Sequence, residues 1–284
     1  MGSMIHFLNG KFVSERKLLI SPRDLGYLRG YAVTDFLVTY NHKPFKLSEH
    51  IDRLFRSAEI IGLRIPWSKS QIALWVNETL DKNDKETEKT MKIVLSGGVS
   101  HSLRQADTPT IVMIVSDRVP KPVSQYEMGI KVRTVKYSRP FPEAKHTYFV
   151  EAIRDFAAFK GEDIEDIIYY DDLQVYEGSG TNIFAVIDNK LITPKSHIVP
   201  GITRNTLLEI LKLNIPVEVR DFTIDELRSA FEVFLAGSNS EVRGVVEIDG
   251  KPVADGKVGK ITQEAARQYK EYVIRATYNK QERL

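Results

Sequence analysis

Most strand-like segments in this sequence come in pairs, and each pair is joined by a short polar or glycine-containing turn. Ile5 to Asn9 and Phe12–Val13 flank a turn at Gly10–Lys11, and Asp188–Asn189 and Asp249–Gly250 are further two-residue turns. Paired strands with tight turns predict antiparallel hairpins, whereas a doubly wound fold needs strands that alternate regularly with helices. The chain is therefore predicted to be an α+β protein with hairpin-rich sheets.

Helical periodicity and a proline-containing stretch divide the chain into two parts. The first part mixes strands with two helices, one capped by Ser48 and ending near Gly62, the other running from about Lys69 to Leu80. Two prolines and two basic residues in Arg118–Pro122 predict a linker. The predicted organisation is a small N-terminal α+β domain at 1–118, an interdomain linker at 119–129 and a larger, strand-rich α+β domain at 130–284.

Composition and charge exclude several classes of protein. The formal net charge is only +2, whereas nucleic-acid binders usually carry a strong basic excess. The chain contains no cysteine, which excludes disulfides, cysteine–zinc sites and thiol nucleophiles, and its scattered histidines predict no metal site. No apolar run approaches the roughly 18 residues of a membrane span, and the first residues do not form a signal peptide. We therefore expect a cytoplasmic protein without nucleic-acid or membrane partners.

The glycine-rich segment Glu177–Asn182, EGSGTN, is not a nucleotide-binding loop. A dinucleotide fingerprint needs a third glycine where Ile183 stands, and no Gly-Lys pair in the chain is followed by Ser or Thr. Both nucleotide motifs are thereby excluded.

Four other features of the sequence combine into one constellation. Arg53 lies on the amphipathic first helix, where its guanidinium can bind a phosphate bidentately. Lys145 precedes a predicted helix, and the segment Glu177–Phe184 places an acidic residue and an asparagine around small residues. The segment Val199–Arg204 opens another helix, whose free N–H groups favour an anion and which Thr203 can cap. Together these four segments carry a resemblance to a known family of enzymes.

These segments resemble the fold-type-IV (class IV) pyridoxal-phosphate aminotransferases, a family that includes branched-chain and D-amino-acid aminotransferases and aminodeoxychorismate lyases. The resemblance spans nearly the whole chain, from Arg29–Gly30 to Asp255–Gly259. It implies a two-domain fold-type-IV architecture, pyridoxal 5'-phosphate as cofactor, amino acids and 2-oxo acids as substrates, and a homodimer.

The resemblance also implies a role for individual residues. Lys145 is expected to bond to the cofactor aldehyde and to act as the catalytic acid and base. Glu177 is expected to pair with the ring nitrogen and keep it protonated, so that the ring accepts electrons. The remaining implied cofactor contacts are Arg53, Ile202, Thr203 and Ser238 around the phosphate and Val199 on the ring face.

The residues around the substrate differ from the usual family pattern. Thr34 and Asp35 stand where an aromatic residue and a glutamate are common. Arg29 and Lys92 are the predicted cations for the substrate carboxylate, and Tyr148 lies in the region of the pocket floor.

The predicted function is amino-group transfer between a D- or branched-chain amino acid and a 2-oxo acid. Two alternatives stay open at this point. One is a lyase that uses the same cofactor to release pyruvate from aminodeoxychorismate, and the other is a catalytically inactive binding or scaffold homologue.

Overall fold

The computed structural model describes residues 4–278, which form two compact units. One unit comprises residues 4–119 together with Ala144–Tyr148, and the other comprises Pro120–Glu143 together with residues 149–278. The division into domains at 1–118 and 130–284 stays a prediction, but the compact units differ from it in two ways. Residues 120–129 of the predicted linker belong to the second unit and include a helix, and five residues around Lys145 belong to the first.

The first unit is built on a six-stranded, wholly antiparallel sheet against which two long helices pack. The strand order is β2-β1-β6-β5-β3-β4. Its strands are β1 (Ile5–Leu8), β2 (Lys11–Ser14), β3 (Ala32–Tyr40), β4 (Lys43–Pro44), β5 (Lys89–Ser96) and β6 (Thr110–Asp117). Its helices are α1 (Leu25–Arg29), α2 (Leu47–Ile60) and α3 (Lys69–Asp81), with a 3-10 turn at Glu15–Lys17.

Two local predictions for the first unit were wrong. The turn of the first hairpin is Asn9–Gly10, one residue earlier than predicted, because both residues adopt the positive φ that a two-residue hairpin turn needs. Ser48 does not cap α2, which begins at Leu47 after the left-handed residue Lys46. Only Phe45 and Lys46 lie between β4 and α2, and the N–H of Phe45 still donates to the carbonyl of Val38 on β3.

The second unit contains a nine-stranded mixed sheet. Most neighbouring strands are antiparallel, but the pairs β11–β12, β14–β7 and β7–β8 are parallel. Its strands are β7 (Ile130–Lys136), β8 (Asp166–Tyr170), β9 (Val175–Gly178), β10 (Asn182–Ile187), β11 (Lys190–Thr193), β12 (Val217–Val219), β13 (Glu232–Gly237), β14 (Glu241–Ile248) and β15 (Lys251–Pro252). Its helices are α4 (Val123–Glu127), α5 (Val150–Ala158), α6 (Ile202–Ile210), α7 (Ile224–Arg228) and α8 (Lys260–Thr277).

The predicted α+β fold class is confirmed by these two sheets and their helices. The predicted turns Asp188–Asn189 and Asp249–Gly250 both have positive φ and join antiparallel strands. The parallel pair β7–β8 requires a long crossover, which α5 supplies. No helix within residues 4–278 is long and apolar enough to cross a membrane.

Candidate active site

The short segment that carries Lys145 is docked onto β3 and α2 of the first unit. The carbonyl of Lys145 accepts the N–H of Thr34 at 2.8 Å, and the N–H of Thr147 donates to the carbonyl of Ala32 at 3.2 Å. The N–H of Lys145 donates to the buried Oγ of Ser57 at 3.0 Å. The backbone of Lys145 is therefore fixed from two sides, which gives its side chain a defined starting point.

The same strand and helix carry a buried group of three polar side chains, Asp35, His50 and Arg53, which we call the Asp35 cluster. Asp35 on β3 is fully buried, and it accepts two hydrogen bonds from Arg53, Nε to Oδ2 at 2.9 Å and Nη2 to Oδ1 at 2.8 Å. His50 lies one helical turn before Arg53 and places its Nδ1 2.6 Å from Asp35 Oδ1. One carboxylate thus fixes the orientation of both α2 side chains.

The charges of the Asp35 cluster follow from its burial and its contacts. Burial alone raises the pKa of a carboxyl, but the Arg53 guanidinium and His50 outweigh it and hold the pKa of Asp35 well below its usual range. Burial lowers the pKa of His50; Asp35 opposes this effect, and the positive charges of Arg53 and Lys145 reinforce it. Because an ionised carboxylate only accepts, a neutral His50 donates its Nδ1–H to Asp35.

The other predicted residues of the first unit lie nearer its surface. Arg29 is exposed at the end of α1, where its Nη1 donates to the carbonyl of Leu28 at 3.3 Å. Lys92 is exposed on β5, and Tyr148 is 40% exposed. Their roles in binding a substrate carboxylate or lining the pocket stay predictions, as does the phosphate contact of Arg53.

In the second unit, a buried carboxylate forms the centre of what we call the Glu177 cluster, which consists of Arg139, Glu177, Asn182 and Val199. Arg139 Nη2 donates to Glu177 Oε1 at 2.9 Å, while Asn182 Nδ2 and the N–H of Val199 each donate to Oε2 at 3.0 Å. Asn182 Nδ2 also donates to the carbonyl of Val199 at 2.9 Å. Glu177 is 8% exposed, so this shell of donors defines its orientation.

The glycine-rich turn after Glu177 is organised by a carboxylate of the protein itself. Asp166 on β8 accepts hydrogen bonds from the N–H and Oγ of Ser179, at 2.9 and 2.6 Å, and from Thr181 Oγ1 at 2.6 Å. Gly178 is required because a Cβ there would lie 2.2 Å from Thr181 Oγ1. The turn is short, because β9 ends at Gly178 and β10 begins at Asn182.

The N-terminus of α6 lies against the Glu177 cluster. Gly201 is the N-cap residue, and a Cβ there would lie 1.7 Å from Asn182 Oδ1, so only glycine fits. The prediction that Thr203 caps this helix was wrong, because Thr203 lies inside the first turn and is 2% exposed. The first turn has no side-chain cap, so its N–H groups and the helix dipole suit a phosphate.

Three further residues of the second unit are predicted to contact the cofactor, and their positions are as follows. Val199 and Ile202 are buried on either side of Gly201, and Ser238 is half-buried directly after β13. A buried carboxylate with fixed donors and an uncapped helix terminus fit the ring nitrogen and the phosphate of pyridoxal phosphate. The individual contacts that the resemblance implies stay predictions.

Sequence analysis did not single out two arginines of the second unit that interact with Glu177. Arg139 lies in a proline-containing loop, and nothing local indicates that it pairs with Glu177, 38 residues away. Arg204 ends the segment Val199–Arg204, but the sequence does not show that it is buried. In the structure its Nε donates to Thr193 Oγ1 at 3.0 Å. Burial lowers the pKa of Arg204, and the charge of Glu177 opposes that effect.

Comparison with known proteins gives a consistent result. The family model "Amino-transferase class IV" matches residues 32–248. The chain is 30% identical over 276 residues to a D-alanine aminotransferase of Staphylococcus aureus, covering 94% of this chain and 97% of that protein. It is 32% identical over 277 residues to a putative branched-chain-amino-acid aminotransferase of Methanocaldococcus jannaschii, covering 93% of this chain and 95% of that protein.

Solved structures agree with the sequence comparison. A branched-chain aminotransferase from Thermoproteus uzoniensis with norvaline superimposes with a TM-score of 0.87 at 27% identity, covering 98% of this chain and 97% of that one. A branched-chain amino acid aminotransferase from Escherichia coli has the same fold, with a TM-score of 0.82 at 22% identity and coverage of 94% of this chain and 92% of that one.

The chain belongs to the class IV aminotransferases. It is a pyridoxal-phosphate-dependent aminotransferase of fold type IV, which confirms the predicted fold, enzyme class and cofactor. These comparisons do not favour the lyase or the scaffold alternative.

Proposed function

We propose that this enzyme transfers the amino group of a D-amino acid such as D-alanine to a 2-oxo acid, with Lys145 as the catalytic residue and Glu177 as a residue that binds the cofactor. The buried Glu177 carboxylate carries the proposal, because a carboxylate held by three donors at one place suits a protonated ring nitrogen. The D-alanine aminotransferases, 30% identical over nearly their whole length, support this choice of substrate.

Each residue has a distinct task in this proposal. Pyridoxal phosphate supplies an aldehyde that takes up the amino group and a ring that accepts electrons from the substrate α-carbon. With the cofactor bound, Lys145 Nζ would take the proton from the substrate α-carbon and deliver it to the carbon of the cofactor aldehyde. Glu177 accepts a hydrogen bond from the ring nitrogen, and Val199 packs on the ring face. Arg53, Ile202, Thr203 and Ser238 bind the phosphate with the N-terminus of α6.

The substrate carboxylate is proposed to bind Arg29 and Lys92, with Tyr148 in the wall of the pocket. We further propose a cytoplasmic homodimer. Large apolar side chains on the surface of the first unit support a subunit interface, since Leu19, Tyr27 and Leu103 are 74%, 76% and 84% exposed. Light scattering of the purified protein tests the dimer, and a monomer at micromolar concentration would contradict it.

A branched-chain L-amino acid is the second candidate substrate. The archaeal relative at 32% identity carries the name of a putative branched-chain-amino-acid aminotransferase, and the Thermoproteus structure of that activity superimposes over 98% of this chain.

The two candidates are separated by offering D-alanine or L-leucine with 2-oxoglutarate to the purified, cofactor-loaded enzyme. We expect turnover with D-alanine and a loss of about 10²- to 10⁴-fold in Lys145→Ala. Lys131→Ala, which removes a 44% exposed lysine on β7, serves as the matched control and should retain full activity. Turnover of L-leucine alone would select the second candidate, and turnover of neither compound would reject both.

A further inference from the structure

Arg139 connects two parts of the second unit through a single nitrogen atom. Its Nη2 donates to Glu177 Oε1 at 2.9 Å and to the carbonyl of Pro142 at 2.6 Å. A terminal guanidinium nitrogen carries two hydrogens, so these two bonds fix its orientation. The side chains of Arg139 and Glu177 are 19% and 11% exposed, which shields their interaction from much of the solvent.

The donors on the two oxygens of Glu177 differ in charge. Asn182 and Val199 bring neutral N–H groups to Oε2, and these orient the carboxylate. Arg139 brings a full positive charge to Oε1. An opposite charge at hydrogen-bond distance favours the ionised form of a carboxyl group and makes it a poorer acceptor of a proton. The contribution of Arg139 is therefore electrostatic as well as geometric.

We propose that Arg139 is a positioning residue for the reaction: it holds Glu177 as an oriented carboxylate, so that the proton between Glu177 and the cofactor stays on the ring nitrogen. This rests on the proposed function, in which Glu177 faces that nitrogen. Arg139 also holds the carbonyl of Pro142, three residues before Lys145 in the chain. The same guanidinium thus restrains the backbone that leads to the lysine.

The ring nitrogen itself reports on this role. We would load the wild type, Arg139→Gln and Arg139→Met with cofactor labelled with ¹⁵N in the ring and record the nitrogen NMR signal. In both variants the signal should move towards that of an unprotonated pyridine. Amino transfer in a single turnover should fall about tenfold, the loss that corresponds to one hydrogen bond between charged groups. Arg139→Lys keeps the charge without the planar fork and should restore part of the signal.

The matched control is Arg133→Gln on β7, which removes an arginine of similar exposure, 24%, from an ion pair with Glu162. Its nitrogen signal should equal that of the wild type. A wild-type signal in folded, loaded Arg139→Gln would overturn the proposal, and so would failure of Gln, Met and Lys variants alike to fold. If the nitrogen signal responds to Arg139 but the wild type transfers no amino group from D-alanine or L-leucine, the proposed substrates are wrong, while the effect of Arg139 on the protonation of the ring nitrogen stands.

Discussion

The Asp35 cluster and the Glu177 cluster both bury a carboxylate against an arginine, but they satisfy it differently. Asp35 is fully buried, takes two hydrogen bonds from Arg53 and contacts His50. Glu177 takes one hydrogen bond from Arg139 and two from neutral donors. Two ionic bonds to one guanidinium neutralise Asp35 and fix Arg53. The charged and neutral donors of Glu177 together fix the orientation of its carboxylate.

The largest expected loss of stability follows from removal of the carboxylate at the centre of the Asp35 cluster. Asp35→Ala leaves the Arg53 guanidinium buried without its carboxylate, and loss of one partner of a buried ion pair costs about 3–5 kcal/mol. The free energy of unfolding, measured in urea, should fall by that amount.

Asp52→Ala is the matched control for Asp35→Ala. Asp52 pairs with Lys69 at 2.7 Å, but both side chains are 56% exposed, so its removal should cost at most about 1 kcal/mol. If the two variants lose equal stability, the buried pair is not what stabilises β3 and α2.

A smaller loss of stability is expected when the Glu177 cluster is disturbed and all of its charged groups are kept. In Gly201→Ala the new Cβ would lie 1.7 Å from Asn182 Oδ1, so the amide must move away from Glu177 and Val199. We expect a loss of about 1–3 kcal/mol in unfolding free energy and weaker cofactor binding in a fluorescence titration. Gly180→Ala has no neighbouring atom within 4 Å and should change stability by less than about 0.5 kcal/mol. Equal behaviour of the two alanines would refute this account.

The smallest expected effect is the pH dependence of stability that His50 gives to the Asp35 cluster. Burial lowers the pKa of native His50 below the value of about 6.5 in an unfolded chain, so the unfolded state binds the proton more readily. Neutral His50 therefore makes its full contribution to stability above about pH 6.5, and this contribution declines as the pH falls towards the native pKa. His50→Asn should flatten the slope of unfolding free energy between about pH 7.5 and 5. His101→Asn, in an exposed loop, should keep the wild-type slope.

Local sequence was sufficient for most elements of the fold. Periodicity placed α2 and α3, and turn chemistry placed the hairpins at Asp188–Asn189 and Asp249–Gly250. Strand pairing between distant segments was not accessible in the same way. The strands β14 and β7 are distant in the sequence but pair in parallel in the sheet, and no local pattern specifies which strands become adjacent.

The residues of the candidate site were predictable where they stand within a segment that resembles the family. Glu177 and Val199 stand in segments that resemble the family, and the structure brings them into hydrogen-bond contact. Arg139, Asp166 and Ser57 were missed because each acts on a residue far away in the sequence. Ser57 and Lys145, for example, are 88 residues apart. A single serine on a helix carries no sign of such a partner.

The return of Ala144–Tyr148 to the first unit means that the chain passes between the two units three times. A gene fragment that stops at residue 119 therefore encodes a β3 and α2 that lack their docked neighbour, and a fragment that starts at 120 carries Lys145 without its support. The two units are consequently poor modules for independent expression or for exchange between relatives at a single junction.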